Sequence, residues 1–381
     1  MKIAVLTERY PGERRVSLIP ANVPQLAKLG CETLVESGAG EEAGFTDAMY
    51  IDKGATIAAD LSAAMVADIV LQVRSAGMDA DQGAAVRGQV RPGQIVIGSC
   101  DPLGKPQAIA DWAGSGVTLF SLELIPRITR AQSMDVLSSQ ATIAGYRAVL
   151  VAAMELPKMF PMMMTAAGTL TAARVFVIGA GVAGLQAIAT ARKLGAIVSA
   201  YDVRPACREQ VESLGGKFVE LEIDASAAEG QGGYAKAMDE EFYRKQRELM
   251  ASVVAQSDVV ITTAAIPGRQ SPLLVTADAV RGMAPGGVIV DLAAERGGNC
   301  ELSQPDQRVV ENGVVILGPT NIATEIPNHA SQMLGNNVVK FLQNMIKAGE
   351  LNLNREDEII SDTLVAHAGE VSSERVRGLL S

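Results

Sequence analysis

The sequence predicts an α/β protein made of two doubly wound domains with parallel sheets, the first of them discontinuous in sequence. Three observations carry this reading. At roughly 150 residues per domain, 381 residues suit two domains. Apolar residues make up 48% and charged residues 20%, the balance of a chain that buries a core, and 37 glycines suit tight strand-to-helix turns. Short, almost wholly apolar runs alternate with stretches of helical spacing, as strands covered on both faces by helices do.

Taken in order, residues 2–6 (KIAVL) read as the first strand and 21–29 as a helix, with strands following at 32–37, 68–73, 94–99 and 117–122. From 137 to 160 the pattern turns helical, and 138–156 reads as one long helix able to carry the chain from one domain to the next. A strand at 174–179 (RVFVIG) leads into a glycine turn and a helix to about Leu194, and strands recur at 196–202, 258–264, 287–293 and 314–318. The tail holds a further helical segment, 331–349. The residues after 326 are few for a domain of their own and are expected to pack on the first. The expected division is therefore 1–137 plus 327–381 for the first domain and 138–326 for the second.

Several function classes are excluded early. A net charge of −10 argues against a nucleic-acid binder held by phosphate contacts. Cys31, Cys100, Cys207 and Cys300 form no CxxC pair, so neither a metal site nor a disulfide framework is expected. No uncharged apolar run reaches about 18 residues and no signal peptide is evident, which predicts a cytoplasmic chain, peripheral to a membrane at most, with no direct membrane insertion. The two histidines, His329 and His367, both fall in the tail, so the first 328 residues offer no histidine base. Met162, Met163 and Met164 read as core or interface packing.

The strongest motif is Gly179-Ala180-Gly181-Val182-Ala183-Gly184. A strand precedes it, an amphipathic helix follows, and the next strand ends in Asp202. In such a Rossmann-like unit Gly179 allows the sharp turn, Gly181 lets backbone approach a pyrophosphate, and Gly184 permits close packing of helix on strand. The helix start offers unpaired N–H groups and a partial positive charge to the phosphates. Asp202 can accept from both adenosine ribose hydroxyls and would repel a 2′-phosphate, which favours NAD(H). Arg204, just beyond it, could instead accommodate such a phosphate, stack on adenine or face water. A second glycine cluster, 38–44, has the wrong spacing and two acids where phosphate would sit, and reads as a surface loop.

The segment from Pro126 to Gln140 is unusually polar and lies where a two-domain nucleotide enzyme faces its cleft. Its arginines supply permanent charge, and Gln132 can donate and accept as a carboxamide or ribose hydroxyl requires. A capped helix start with solvated charges would look the same from spacing alone.

This segment, PRITRAQSMDVLSSQATIAGYRAV, resembles the signature of the NAD(H)-binding component of proton-translocating nicotinamide nucleotide transhydrogenases. FPMMMTAAGT, VIGAGVAGLQAIATARKLGA, REQVESLGGKF, GGYAKAM, TTAAIPGR and VIVDLAAERGGNC agree with it in order. The resemblance runs to about residue 320 and weakens in the tail. It implies that Arg127, Gln132, Asp135 and Ser138, with Ser133 and Met134 in the same segment, contact the nicotinamide end of NAD(H). Thr129 stands where the family usually has serine. It also implies that Ala180 and Val182 join the three glycines at the nucleotide, that Asp202, flanked by Val203 and Arg204, binds the ribose, and that Ala265 lies near the cofactor. GGYAKAM, with Gly233 and Tyr234, would be the family's mobile loop, and Gln246 would approach the nucleotide.

Alanine dehydrogenases share the architecture and are the competing family. Theirs is a chemistry with an acid–base pair, and here only their N-terminal arginine is kept, as Arg15, while Arg74 stands in place of a lysine and Asp101 in place of a histidine. Oxidising an amine or alcohol removes a proton as well as a hydride and needs a base. Moving a hydride between two nicotinamides needs alignment and exclusion of water. No catalytic acid, base or nucleophile is therefore expected. The resemblance places NADP(H) on a partner subunit and the proton path in a membrane-embedded one, and it implies a homodimer. Ending at Ser381, the chain resembles the separate-subunit arrangement. A non-catalytic NAD sensor is the remaining alternative.

Overall fold

The computed structural model describes residues 1–79, 83–220, 240–266 and 268–380. The chain forms two compact units, one from Met1–Gln140 with Ala323–Ser381 and one from Ala141–Ile322.

In the first unit eight strands form one sheet. From one edge their order is Thr56–Ala58, Glu32–Glu36, Lys2–Val5, Ile69–Arg74, Ile95–Ser99, Thr118–Ser121, Leu364–His367 and Glu370–Val371. The first six run parallel, and the strand Leu364–His367 joins Thr118–Ser121 antiparallel. Because successive side chains point to opposite faces, each apolar strand fills two cores. Ile3, Val5, Ile69, Leu71, Ile95 and Ile97 pack on one side, and Ala4, Val70, Val96 and Leu119 on the other. That is why these strands are apolar throughout rather than alternating.

The tail is integral to this unit. The helix Pro327–Met345 buries Leu334, Val338, Phe341 and Leu342, and the Phe341 ring meets Phe120 edge-on at 5.6 Å. Its Ser331 hydroxyl accepts from the Val16 amide at 2.9 Å. His367 lies beside Thr118, Nδ1 to Oγ1 2.9 Å. Burial holds its imidazole below the usual range.

The second unit carries a seven-stranded sheet in the order Lys217–Phe218, Ile197–Tyr201, Arg174–Ile178, Val259–Thr262, Val288–Asp291, Val314–Leu317 and Arg308–Glu311. Only the last strand is antiparallel. Numbered along the chain, the six parallel strands of each sheet fall in the order 3-2-1-4-5-6, so both units are doubly wound. The expectation of parallel sheets holds for these six and is corrected at the rims, where Leu364–His367, Glu370–Val371 and Arg308–Glu311 run antiparallel.

The helix Val136–Glu155 spans the end of one unit and the start of the other. It is long and apolar enough to cross a membrane by length and composition. It carries Arg147 and Glu155, and its Ala148, Val149 and Ala152 pack in the core of the second unit. A hairpin, Met163–Thr165 with Gly168–Leu170, stands wholly exposed after it. Met162 is 58% and Met164 71% exposed, so the core reading of these methionines is corrected and only packing against another surface remains.

Candidate nucleotide-binding site

In a doubly wound sheet ligands sit beyond the carboxyl ends of the strands, where the strand order reverses. In the second unit that point lies between Arg174–Ile178 and Val259–Thr262. Gly179, Thr263 and Asp202 each follow directly on the end of one of three neighbouring strands. The sequence motif and the topology therefore meet at one place.

Each glycine has a distinct reason to be there. Gly179 takes φ +98, in the left-handed region, and a β-carbon on it would stand 2.6 Å from the Thr263 hydroxyl. A β-carbon on Gly184 would stand 1.8 Å from the Gly179 carbonyl oxygen, so the helix Val182–Lys193 can approach the turn this closely only with glycine. Around Gly181, the residue that starts this helix, a β-carbon would meet nothing within 4 Å. That open space above a helix N-terminus fits a pyrophosphate approaching backbone N–H groups. Ala180 is buried and Val182 is 36% exposed beside it.

Asp202 is 8% exposed and is bonded by its own turn and by the glycine motif. Oδ2 accepts from the Ala180 amide and from Arg204 Nη2, and Oδ1 accepts from the Arg204 amide and Nε, at 2.7–2.9 Å. Burial alone would raise this carboxyl. The Arg204 hydrogen bonds and charge, with the two amides, outweigh it and hold Asp202 below the usual range. Arg204 thus neither faces water nor stands apart from Asp202. Val203, between them, is half-buried.

Of the remaining sequence candidates in this unit, Ala265 is exposed on the loop after Val259–Thr262. Gln246 is 2% exposed on the helix Glu240–Ala255, and its amide donates to the Tyr201 hydroxyl at 2.6 Å. This bond ties the helix to the last residue of the strand Ile197–Tyr201, next to Asp202. Gly233 and Tyr234 lie outside the described residues.

Two residues escaped the sequence reading. The Thr263 hydroxyl donates to the Gly179 carbonyl at 3.1 Å and ties the two strand ends together. Asn299 grips the next residue on both sides, accepting from the Ala264 amide at 3.0 Å and donating to the Ala264 carbonyl at 2.9 Å. Asn299 is itself held through its own amide by the fully buried Asp291 at 2.9 Å. Both lie in strings that match the family, TTAAIPGR and DLAAERGGNC, which is the only signal that marked them.

In the first unit the polar segment forms a 3-10 helix, Thr129–Met134, leading into the long helix at Val136. Arg127, Gln132 and Ser133 are exposed, whereas the Met134 side chain is buried in the core with Ala131 and Val136. Met134 can therefore offer only its backbone. Asp135 caps the long helix, accepting from the Ser138 amide at 2.9 Å and the Ser138 hydroxyl at 2.6 Å. Arg130 is drawn to the tail, pairing with Asp357 at 2.6 Å. That hydrogen bond holds the Asp357 carboxyl well below its usual range.

At the reversal point of the first sheet, between Lys2–Val5 and Ile69–Arg74, the strand end carries a buried ion cluster. The fully buried Glu13 carboxylate accepts from Arg15 Nε at 2.8 Å and Nη2 at 2.7 Å, from Arg74 Nε at 3.2 Å and from the Thr324 hydroxyl at 3.0 Å. Arg74 also lies over the Tyr10 ring, 4.2 Å from its centre. Glu8 accepts from the Val73 and Arg74 amides, and burial, with the charge of Glu13, pushes its carboxyl up to about 8. Asp101, at φ +48, donates its amide to Glu123. Arg15 and Arg74 are thus committed to an internal carboxylate.

The family model described as "Alanine dehydrogenase/PNT, C-terminal domain" matches residues 148–374, and its N-terminal counterpart matches residues 4–144. The chain belongs to the alanine dehydrogenase/PNT family. Within it, a Rhodospirillum rubrum protein named as the first part of NAD(P) transhydrogenase subunit alpha is 46% identical over 375 residues, 97% of each chain. The crystal structure of transhydrogenase from Sinorhizobium meliloti superposes with a TM-score of 0.87 at 46% identity, covering 97% of this chain and 100% of that one. Alanine dehydrogenase of Mycobacterium tuberculosis is 27% identical over 385 residues, 99% of this chain and 96% of its own. This member of the family is therefore nearer to the Rhodospirillum transhydrogenase subunit than to that alanine dehydrogenase.

Proposed function

We propose that the chain is the NAD(H)-binding subunit of a proton-translocating NAD(P)+ transhydrogenase, in which hydride passes directly between NADH held here and NADP+ held on a partner subunit. The observation that carries this is the reversal point of the second sheet. There the open space at Gly181, the close approach of Gly184 to Gly179 and the Asp202 carboxylate fit a dinucleotide with a free 2′-hydroxyl. When bound, NADH supplies the hydride from its nicotinamide ring.

The residues of the chain bind and orient. Amides from Gly181 onward receive the pyrophosphate, with Ala180 and Val182 beside it, and Asp202 receives the adenosine ribose, flanked by Val203 and Arg204. Ala265 lies beside the nucleotide. Arg127, Gln132 and Ser138 take the nicotinamide end, together with Ser133 and the Met134 backbone, and Asp135 fixes Ser138. None of them is assigned a proton to carry. The engagement of Arg15 and Arg74 by Glu13 supports this reading over an amino-acid dehydrogenase, because both guanidiniums already hold a carboxylate.

The rest of the proposal concerns assembly. The chain works with membrane-embedded and NADP(H)-binding subunits, peripheral to the membrane on its cytoplasmic side, and pairs as a homodimer. The exposed side chains of Met162, Met164 and Leu170, on or beside one hairpin, support the pairing, since apolar residues gathered at the surface mark an interaction site.

A fluorescence titration with NADH, run in parallel with NADPH, tests the assignment, followed by pyruvate and ammonium in the same cuvette. Binding of NADH with neither NADPH binding nor turnover is expected. Oxidation of NADH by pyruvate and ammonium would restore the alanine dehydrogenase reading, and failure to bind either nucleotide would remove the site.

A further inference from the structure

Resting on that nucleotide reading, we infer that Arg204 is an internal competitor for the ribose diol, occupying the Asp202 carboxylate until nucleotide displaces it. A carboxylate offers about four in-plane acceptor positions, two on each oxygen. Asp202 has all four filled: Oδ1 by the Arg204 amide and Nε, and Oδ2 by the Ala180 amide and Arg204 Nη2. The two amides belong to the backbone that shapes the turn and stay in place. The two guanidinium bonds are the ones a pair of ribose hydroxyls can replace, since they span the same two oxygens.

The exchange has a definite energetic character. A bidentate guanidinium–carboxylate pair is among the stronger hydrogen-bonded contacts, and Asp202 and Arg204 are both largely shielded from water. Binding of an adenosine diol must therefore surrender this pair before it gains its own two bonds. Arg204 lowers affinity for the diol while keeping the carboxylate ionised and aimed when no nucleotide is present. The same residue neutralises Asp202 in the unliganded chain, which spares the turn an unpaired buried charge.

The test compares the full-length chain with Arg204→Ala and Arg204→Lys, using NADH, ADP and 2′,3′-dideoxy-ADP as probes in fluorescence and calorimetric titrations. Arg204→Ala is expected to bind NADH and ADP about fivefold more tightly or better, the factor that about 1 kcal/mol confers, with no gain for the dideoxy nucleotide. Arg204→Lys, whose single ammonium cannot span both oxygens, is expected to show a smaller gain for the same two ligands. It also decides the matter if the alanine variant does not fold. Equal or weaker NADH binding by the variants, or an equal gain for the dideoxy nucleotide, would overturn the competition. Absence of nucleotide binding by the unmodified chain would instead overturn the site itself.

Discussion

Gly184 lies so close beneath Gly179 that a β-carbon on it would stand 1.8 Å from the Gly179 carbonyl oxygen. Two glycines of one motif therefore do separable work. Gly184→Ala forces backbone apart and is expected to destabilise the unit by about 1–3 kcal/mol, seen as a lower Tm, with NADH binding lost. Gly181→Ala enters open space at φ −78 and should leave Tm unchanged. Its methyl group blocks the approach of phosphate, so the NADH Kd should rise on the order of tenfold, the effect of about 1.4 kcal/mol. An NADH Kd left unchanged by Gly181→Ala would show that the space above Gly181 is not a ligand position.

Glu13 satisfies two buried guanidiniums at once. Removing one member of a buried ion cluster costs about 3–5 kcal/mol, because the others remain desolvated and unpaired. Glu13→Ala should therefore lower chemical-denaturation stability by that order. A loss no larger than that of a surface substitution would show that water reaches the cluster.

Glu8 gives the first unit a pH signature. Its carboxyl is raised in the folded chain to about 8 from an ordinary value of 4.5. The folded state therefore binds the proton more tightly than the unfolded one. The stabilisation is fully present below the ordinary carboxylate range and is lost as pH rises through about 8. Tm measured from pH 5 to 9 should contain a falling component in this window, and Glu8→Gln should abolish it. An unchanged pH profile in the variant would assign the titration elsewhere.

The exposed hairpin can be tested through assembly state. Met162→Ser with Met164→Ser removes apolar surface that the chain leaves exposed. In sedimentation the unmodified chain should be a dimer, and the double variant should dissociate at higher concentration with an unchanged Tm for its second unit. A monomeric unmodified chain would leave the methionines to another partner.

The central strands were legible because burial on both faces makes them apolar without interruption, as in Ile69–Arg74 and Val259–Thr262. The rims were not. Thr56–Ala58, Arg308–Glu311, Leu364–His367 and Glu370–Val371 are short, and each owes its strand character to a partner. The glycine turn and Asp202 were legible because their spacing is fixed by local geometry. The Glu13–Arg74 pairing spans 61 positions and the Gly179–Thr263 bond 84, and no local pattern encodes either. Arg204 stood in plain view two residues from Asp202, yet sequence could not say which way its side chain turns.

The strand Leu364–His367 closes the flank of Thr118–Ser121, which precedes it in the chain by some 240 positions. On a ribosome, the first six strands emerge long before that cover exists. The whole second unit must be synthesised while the Thr118–Ser121 flank still offers its backbone groups to any passing strand. The newborn chain is then at its most aggregation-prone, and a nascent chain arrested between residues 322 and 363 should depend on chaperones far more than the finished one.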